Sequence, residues 1–185
     1  MAVREITFAP DKALESVLYI AAHLAEPTIH EVLKIRYFAD KLHLAQYGFL
    51  ASGDEYVAMK FGPVASSTYN LLKAARGDQS GWIHPQFADL VRDSLAVDAD
   101  HKSLVVLRAA DLGRLSPADI ACLDQAILQY GNMGFDERTE LSHDAAWQEA
   151  WDAATEDEVG ASPMQIETIA RTIPNAHDLI EHLHA

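Results

Sequence analysis

Residues 30–72, HEVLKIRYFADKLHLAQYGFLASGDEYVAMKFGPVASSTYNLL, join an almost wholly apolar helix pattern to two strand-like runs. With about 100° of rotation per residue, the first half places apolar side chains at nearly every angle of a helix. A helix that is apolar all round is buried in the centre of a domain. The sequence therefore predicts a central helix that begins after Thr28, which with Glu31 forms a capping box, and that stops at Tyr47-Gly48.

Polar side chains on this helix fall into two stripes. The Arg36 stripe consists of Arg36, Asp40 and His43. The Lys34 stripe consists of His30, Lys34 and Lys41. A buried charge must be paired, hydrogen-bonded or neutralised, so the Arg36 stripe predicts either an internal polar network that orients the following hairpin or the floor of a binding groove. The network is favoured, because structural ion pairs also perturb buried titratable groups.

A β-hairpin is predicted directly after the central helix, because the runs 49–51 and 56–61 flank a short polar turn that contains glycine. Gly62-Pro63 is expected to end the second strand, since proline cannot donate to a strand ladder and restricts the residue before it. The side chain expected to cap the next helix is that of Ser66, Ser67 or Thr68.

Three blocks carry a family resemblance: KIRYFADKLHL at 34–44, GDEYVAMKFGPV at 53–64 and TYNLLK at 68–73. Together they closely resemble the Panacea domain, the SocA-like antitoxin domain of bacterial and prophage toxin–antitoxin pairs. The similarity continues through Leu115-Ser116 and the segment 141–147, and it covers most of the chain, from about residue 10 to about residue 150.

The resemblance implies an antitoxin that neutralises a cognate toxin, encoded by the adjacent gene, through direct protein contact. One branch of the family resembles a proteolytic adaptor that tethers its toxin to the ClpXP protease. Two alternatives stay open: a DNA-binding transcriptional autoregulator, and a phage-associated protein-interaction module without a toxin.

The partner-binding surface implied by the family motif combines the Arg36 stripe with the hairpin and the helix after it. Aromatic side chains beside isolated charges are the types that dominate interface energetics. Alternatively, the same motif only specifies the fold, with Asp54 in a turn and Tyr56 and Phe61 in the core. The residues predicted to bind the partner are Arg36, Asp40, His43, Asp54, Tyr56, Lys60, Phe61 and Tyr69.

Length and composition predict one domain over residues 1–185, mainly α with one or two small β-hairpins (α+β), compact around the central helix. Residues 155–185 are expected to form a C-terminal helical extension. A cytoplasmic protein is expected, because the chain lacks the ~20 consecutive apolar residues of a membrane span and the pattern of a signal peptide. The single cysteine, Cys122, excludes an internal disulfide framework and is expected in the core.

The formal net charge is −14, with −4 in residues 1–100 and −10 in residues 101–185. An acidic surface repels phosphates, so nucleic-acid binding is disfavoured, and a basic partner protein would be steered toward it. Only the small Lys34 stripe could serve the DNA-binding alternative, and it lies on a helix that is expected to be buried.

Weaker signals place the remaining elements. A short strand is expected at Ile6–Phe8, and Trp82, in a polar loop, is expected to anchor that loop on the core. His143 is expected beside the Arg36 stripe or a partner. Further helices are predicted to begin at Pro10, near Phe87, at Pro117 after the cap Ser116, at Phe135, and at Ser162-Pro163 and Pro174-Asn175, with a second hairpin over 95–107.

No enzyme is expected. The chain contains no HExxH, GxSxG, Walker or dinucleotide motif and no zinc spacing of cysteine and histidine. Asp98, Asp100 and His101 are typical of turn chemistry rather than a metal site. A nucleophile formed by Cys122 and a histidine stays open, since such partners meet only in space. Neither a cofactor nor a metal is predicted.

Overall fold

The computed structural model describes residues 7–78, 83–100 and 102–183, and its central element is the long helix α2, Ile29–Tyr47. Thr28 caps α2, since its side chain accepts a hydrogen bond of 3.1 Å from the N–H of Glu31. Gly48 ends the helix at φ 80°, a left-handed conformation that favours glycine. Most of the helix is buried, including Val32, Ile35 and Tyr37 at 0% exposure, so the predicted central helix is confirmed.

The described residues are mainly helical, with a few small antiparallel strands, which confirms the predicted fold class. No helix among them has the length and apolarity needed to cross a bilayer. In chain order the elements are α1 Pro10–Ala22, α2, β1 Tyr56–Met59, β2 Gly62–Ala65, α3 Ser66–Ala75, α4 Pro85–Ser94, β3 Leu95–Val97, β4 Leu104–Val106, a 3₁₀ turn Leu112–Arg114, α5 Pro117–Tyr130, α6 Phe135–Ser142, α7 Ala145–Glu156, β5 Ser162–Met164, α8 Ile166–Arg171 and α9 Ala176–Leu183.

Helix α2 is covered on all sides, which explains its apolar circumference. It packs against α1, α5, α6 and α8 and against strand β2. The core that results includes Leu14 and Leu18 of α1, Leu123 of α5 and Ile169 of α8. Burying side chains of this size contributes about 1.5–3 kcal/mol each relative to exposure, so the surrounding elements hold α2 in place.

The hairpin that follows α2 differs from the prediction. Its strands are β1 and β2, paired from Tyr56↔Ala65 to Met59↔Gly62, so the turn consists of Lys60 and Phe61. Proline does not end the hairpin, because β2 is an edge strand of the sheet β2-β1-β5, where a missing N–H leaves no partner unsatisfied. Residues 49–51, the predicted first strand, form a loop instead.

The C-terminal segment also differs from the prediction. Ser162-Pro163 does not begin a helix; it lies in β5, which pairs with β1 through Val57↔Pro163. The helix starts later, at Ile166. The second predicted start is confirmed at Ala176, where α9 follows Pro174-Asn175.

Several local predictions are confirmed. Pro10 opens α1, Phe135 opens α6, the β3–β4 hairpin is present, and Ser116 with Asp119 forms a capping box at α5. The predicted strand Ile6–Phe8 is not found over its described part, since Thr7 and Phe8 lie in no strand; Ile6, Trp82 and His101 lie outside the described residues. Asp100 makes turn contacts, since its carboxylate accepts hydrogen bonds from the N–H groups of Lys102 and Ser103 at 2.9 Å.

Candidate partner-binding site

The Arg36 stripe lies in the interior, where each charge meets a partner. Arg36 is 2% exposed; its guanidinium donates to the hydroxyl of Ser52 and lies 3.9 Å from a carboxylate oxygen of Asp40. Asp40 also accepts a 2.7 Å hydrogen bond from the hydroxyl of Tyr56 and a 3.0 Å bond from the N–H of Ala51. The stripe therefore ties α2 to the loop 49–55 and to β1.

Asp54 caps α3 from outside that helix. Its carboxylate accepts hydrogen bonds from the N–H groups of Ser67 at 2.9 Å and Thr68 at 2.8 Å, and from the Thr68 hydroxyl at 2.6 Å. Ser66, Ser67 and Thr68 lie inside the first turn, so the prediction that one of them is the cap is wrong. A carboxylate at a helix N-terminus satisfies free N–H groups and complements the helix dipole.

His43 links the same loop to α5. Its Nδ1 lies 2.8 Å from the carbonyl of Phe49, and its Nε2 lies 3.3 Å from Asp119. Burial raises the pKa of Asp119, but contacts from His43, Lys12 and Ser116 outweigh burial and hold that pKa below its usual range. Asp119 therefore stays ionised near neutral pH, and it fixes the start of α5 against α1 and α2.

The pKa shifts in this network are typical of groups with a structural role rather than of catalytic groups. Burial, with the Asp40 charge second, raises the pKa of Tyr56 well above its usual value. Burial lowers the pKa of Arg36, but the Asp40 charge and other nearby groups outweigh burial and raise it. Neither shift brings a group toward neutral pH, where acid–base catalysis needs it. The geometry therefore favours the internal polar network over the floor of a groove.

In the Lys34 stripe, the buried charge of Lys34 is not balanced by a carboxylate as that of Arg36 is. Lys34 is 1% exposed, and its ammonium donates a 2.7 Å hydrogen bond to the carbonyl of Pro63. Burial alone lowers its pKa to about 7. Arg36, Arg108 and Arg138 each have a carboxylate partner, at Asp40, Glu15 and Glu31; among the described residues Lys34 has none within ion-pair distance.

Two histidines lie close to this amine. Burial, with Lys34 second, lowers the pKa of His30 to about 4 and also lowers that of His143. The His143 ring stacks on Trp147 with centroids 3.5 Å apart, and its buried Nε2 has no hydrogen-bond partner among the described residues. The charges that act on His143 are those of Lys34 and Asp144, so it lies beside the Lys34 stripe; the alternative that it contacts a partner stays a prediction.

Lys34 and Trp147 hold the hairpin tip from below. The indole N–H of Trp147 donates to the carbonyl of Met59 at 2.9 Å, on the other side of the turn from the Lys34–Pro63 bond. Gly62 lies between them at φ +101°, and an added Cβ would collide with Lys34 and Ser142. Only glycine allows the turn to approach α2 and α6 this closely.

The tip presents aromatic surface. Phe61 is 52% exposed and packs edge-on against Phe135 at the start of α6, with ring centroids 5.7 Å apart. Phe135, 47% exposed, in turn contacts His30 at 4.2 Å. The ammonium of Lys60 lies 5.5 Å from the Phe61 ring centroid. Phe135 was not among the predicted binding residues, because its contact with Phe61 joins residues that are far apart in the sequence. The only local signal for Phe135 is its position after Gly134 among acidic residues.

The structure thus divides the eight predicted partner-binding residues into two groups. Arg36, Asp40, His43, Asp54 and Tyr56 are buried in the internal network; Lys60 and Phe61 are exposed, and Tyr69 is half-buried beneath the Lys73 ammonium at 4.5 Å. In this conformation the buried five do not reach a partner directly. Their binding role stays a prediction, and the contacts described above show them holding the loop, the hairpin and α3 in place.

Two other candidate sites gain no support. Among the described residues, no group of three or more histidine, cysteine and acidic side chains could hold a metal ion. Burial raises the pKa of Cys122 to about 11, which makes its thiol a poor nucleophile. The Lys34 stripe also does not offer free lysine charges for DNA binding, because Lys34 is buried and Lys41 pairs with Asp144 at 2.7 Å.

Comparison with known proteins gives one family. The model of the family described as "Antitoxin SocA-like, Panacea domain" matches residues 32–148, which run from the first turn of α2 into α7. No curated protein and no solved structure matches the chain. The family match confirms the resemblance drawn from the sequence and supports an antitoxin role in general.

Proposed function

Because this chain belongs to the antitoxin SocA-like, Panacea domain family, we propose that it neutralises a cognate protein toxin by binding it directly. The single observation that carries the proposal is the family match, which spans α2, the hairpin and α3 to α6. We expect the toxin to be encoded by the adjacent gene, and the pair to act in the cytoplasm.

The surface members of the predicted set would make the contact. Phe61 and Lys60 form the hairpin tip, and Tyr69 lies on α3. Aromatic side chains that are exposed and held in place are typical interface anchors. The buried members would contribute by preorganisation, because a tip that is already fixed loses little conformational entropy on binding.

Neutralisation has two possible routes after binding. The chain would either cover the surface through which the toxin acts or deliver the toxin to ClpXP as a proteolytic adaptor. Both need the same direct contact, and they differ in whether the toxin survives it.

Co-expression tests the function. The adjacent reading frame is placed under an inducible promoter, with or without this chain, and colony formation and co-purification are measured. We expect the toxin alone to stop growth and the wild-type chain to restore growth and co-purify. Phe61→Ser should weaken rescue, whereas Leu112→Ser, at an equally exposed leucine of the 3₁₀ turn, should not.

Repeating the co-expression in cells that lack ClpX distinguishes masking of the toxin from its proteolysis. Rescue that persists there indicates masking, and rescue that disappears with a stable toxin level indicates adaptor-dependent proteolysis. If the adjacent frame is harmless, or is toxic but neither binds this chain nor is rescued by it, the antitoxin proposal is wrong. A promoter-specific gel shift by the purified chain would then favour the autoregulator.

A further inference from the structure

A surface depression of about 480 Å³ lies between the α1–α2 connection and the end of α5. That volume falls within the range typical of ligand and side-chain pockets. Part of its wall is apolar, and Leu128 at its lip is 84% exposed, the highest value among the large apolar side chains described. Leu128 therefore adds an exposed apolar contact at the edge of the depression, beside the apolar part of its wall.

The same depression carries an unbalanced negative charge. Glu26 lines it, is exposed, and forms neither a hydrogen bond nor an ion pair with any described residue. Glu31, which also lines it, is already paired with Arg138 at 2.9 Å. Lysine and arginine lay their aliphatic stems along apolar walls while the charged head meets a carboxylate, so the depression suits a basic side chain.

This depression lies next to the aromatic tip. Glu31, which lines the depression, follows His30 along α2, and His30 contacts Phe135, which contacts Phe61. Arg138, which pairs with Glu31, lies one turn after Phe135 on α6. The two features therefore lie side by side near the starts of α2 and α6, and together they make up the candidate surface.

The charge of the chain agrees with the charge of the depression. The net charge is −14, of which residues 101–185 carry −10. On α6, the side chains beside Phe135 at Asp136 and Glu137 are exposed carboxylates. A partner that approaches this side meets a negative field, which favours basic partners and raises their association rate.

We propose that this surface is where the toxin docks, with a basic toxin side chain seated in the Glu26–Leu128 depression and an apolar toxin side chain on the Phe61–Phe135 pair. The inference rests on the proposed function and adds to it the chemistry of the partner. It also extends the predicted site to three residues outside the original set: Glu26, Leu128 and Phe135.

Calorimetry with the purified product of the adjacent reading frame tests this inference. Glu26→Lys and Leu128→Ser address the depression, and Phe61→Ser and Phe135→Ser address the aromatic pair. We expect each to weaken binding by about ten-fold or more, the usual scale for an interface anchor. Thermal melting should stay near the wild-type value, because the four side chains are all exposed. Raising the salt should weaken the wild type more than Glu26→Lys.

Two matched controls lie away from this surface. Leu112→Ser alters an exposed leucine in the 3₁₀ turn, which reaches the opposite end of α1 through the contact between Arg114 and Asp11 at 3.7 Å. Glu156→Lys reverses an exposed charge at the end of α7. Both should bind as the wild type does.

The outcomes separate this inference from the function on which it rests. Wild-type binding that all four variants retain would overturn the docking surface and leave the antitoxin function intact. Stronger binding by Glu26→Lys would show that the partner is acidic, and would overturn the proposal that its side chain is basic. A wild-type chain that neither binds nor neutralises the adjacent product would overturn both.

Discussion

The two polar stripes of α2 differ in how their buried cations are balanced, although Arg36 and Lys34 lie on one helix and are equally hidden from water. Arg36 is 2% exposed and Lys34 1%. Arg36 faces the carboxylate of Asp40, and Asp119 faces both His43 and Lys12. Lys34 meets only a carbonyl oxygen, with His30 and His143 nearby and no carboxylate of a described residue within ion-pair distance.

The difference teaches that one helix can use buried charge in two ways. A paired network stabilises and specifies the arrangement of the elements that it joins, here the loop 49–55, β1 and α5, provided that all its members are present. A buried amine without a carboxylate partner loses the hydration of its protonated form, and no ion pair compensates for that loss. Lys34 bears that cost directly beneath the hairpin tip that carries Phe61, and its hydrogen bond to the carbonyl of Pro63 helps to hold that tip in place.

The largest expected effect comes from breaking the paired stripe. Asp40→Ala removes the acceptor of Tyr56 and Ala51 and leaves the Arg36 charge buried without its carboxylate. Loss of one partner from a buried ion pair costs about 3–5 kcal/mol. Urea unfolding at pH 7 measures the change in the free energy of unfolding.

The matched control for Asp40 is Asp93→Ala, an exposed carboxylate on α4. It should change the free energy of unfolding by no more than about 0.5 kcal/mol. Equal effects of the two substitutions would mean that Asp40 contributes no more to the free energy of unfolding than an exposed carboxylate does. The contrast between the two stripes would then disappear.

A smaller effect is expected from the pH dependence that Lys34 imposes. Its pKa is about 7 in the folded chain against 10.5 ordinarily, so the unfolded chain binds more protons between these values and stability rises with pH. Between pH 7 and pH 9 the gain should be about 2–3 kcal/mol. Above pH 9 the raised pKa values of Cys122 and Tyr56 oppose this gain, because the folded chain then keeps protons that the unfolded chain has released.

Urea midpoints at pH 7, 8 and 9 measure this gain in the wild type, in Lys34→Met and in the exposed-lysine control Lys60→Met. The rise should vanish in Lys34→Met, which removes the titrating amine, and persist in Lys60→Met. A wild type whose stability is flat over this range would mean that Lys34 is solvated or paired, and the two stripes would then be alike.

The sequence predicts the Arg36 stripe better than the Lys34 stripe for a physical reason. Burial of α2 is encoded locally, in the apolar side chains around its circumference, and so is the pairing of Arg36 with Asp40, one turn apart on the same helix. The partners of the other buried polar groups lie on other elements: Asp119, which meets His43, is on α5, and the carbonyl that Lys34 meets belongs to Pro63 in β2. Neither partner is visible from the neighbours along the chain.

The two errors in the strands concern the two partners of β1. Gly62-Pro63 ends strands and Ser162-Pro163 begins helices when judged from neighbours alone, but both lie in strands that pair with β1, on its two sides. Gly62-Pro63 belongs to the local partner, which follows β1 after the two-residue turn. Ser162-Pro163 belongs to a partner about a hundred residues away along the chain, and no local pattern encodes that pairing. The contact between Phe61 and Phe135 was missed for the same reason.

The smallest expected effect concerns His30, at the outer end of the Lys34 stripe. Burial, with Lys34 second, lowers its pKa to about 4 from 6.5. The unfolded chain therefore binds more protons between these values, and stability is lost as the pH falls from about 6.5 toward 4. Since the ring is only partly buried, we expect His30 to account for about 1–2 kcal/mol of that loss.

The test compares the wild type with His30→Gln, which keeps a polar donor near Thr139 but does not titrate, and with the exposed-histidine control His177→Gln. Urea midpoints at pH 6.5, 5.5 and 4.5 should fall less steeply in His30→Gln and as steeply as the wild type in His177→Gln. Equal slopes in all three would mean that the His30 ring is solvated, and the acid loss would then belong to His143, whose pKa burial also lowers. In that case only the alkaline pH dependence of Lys34 would distinguish the two stripes.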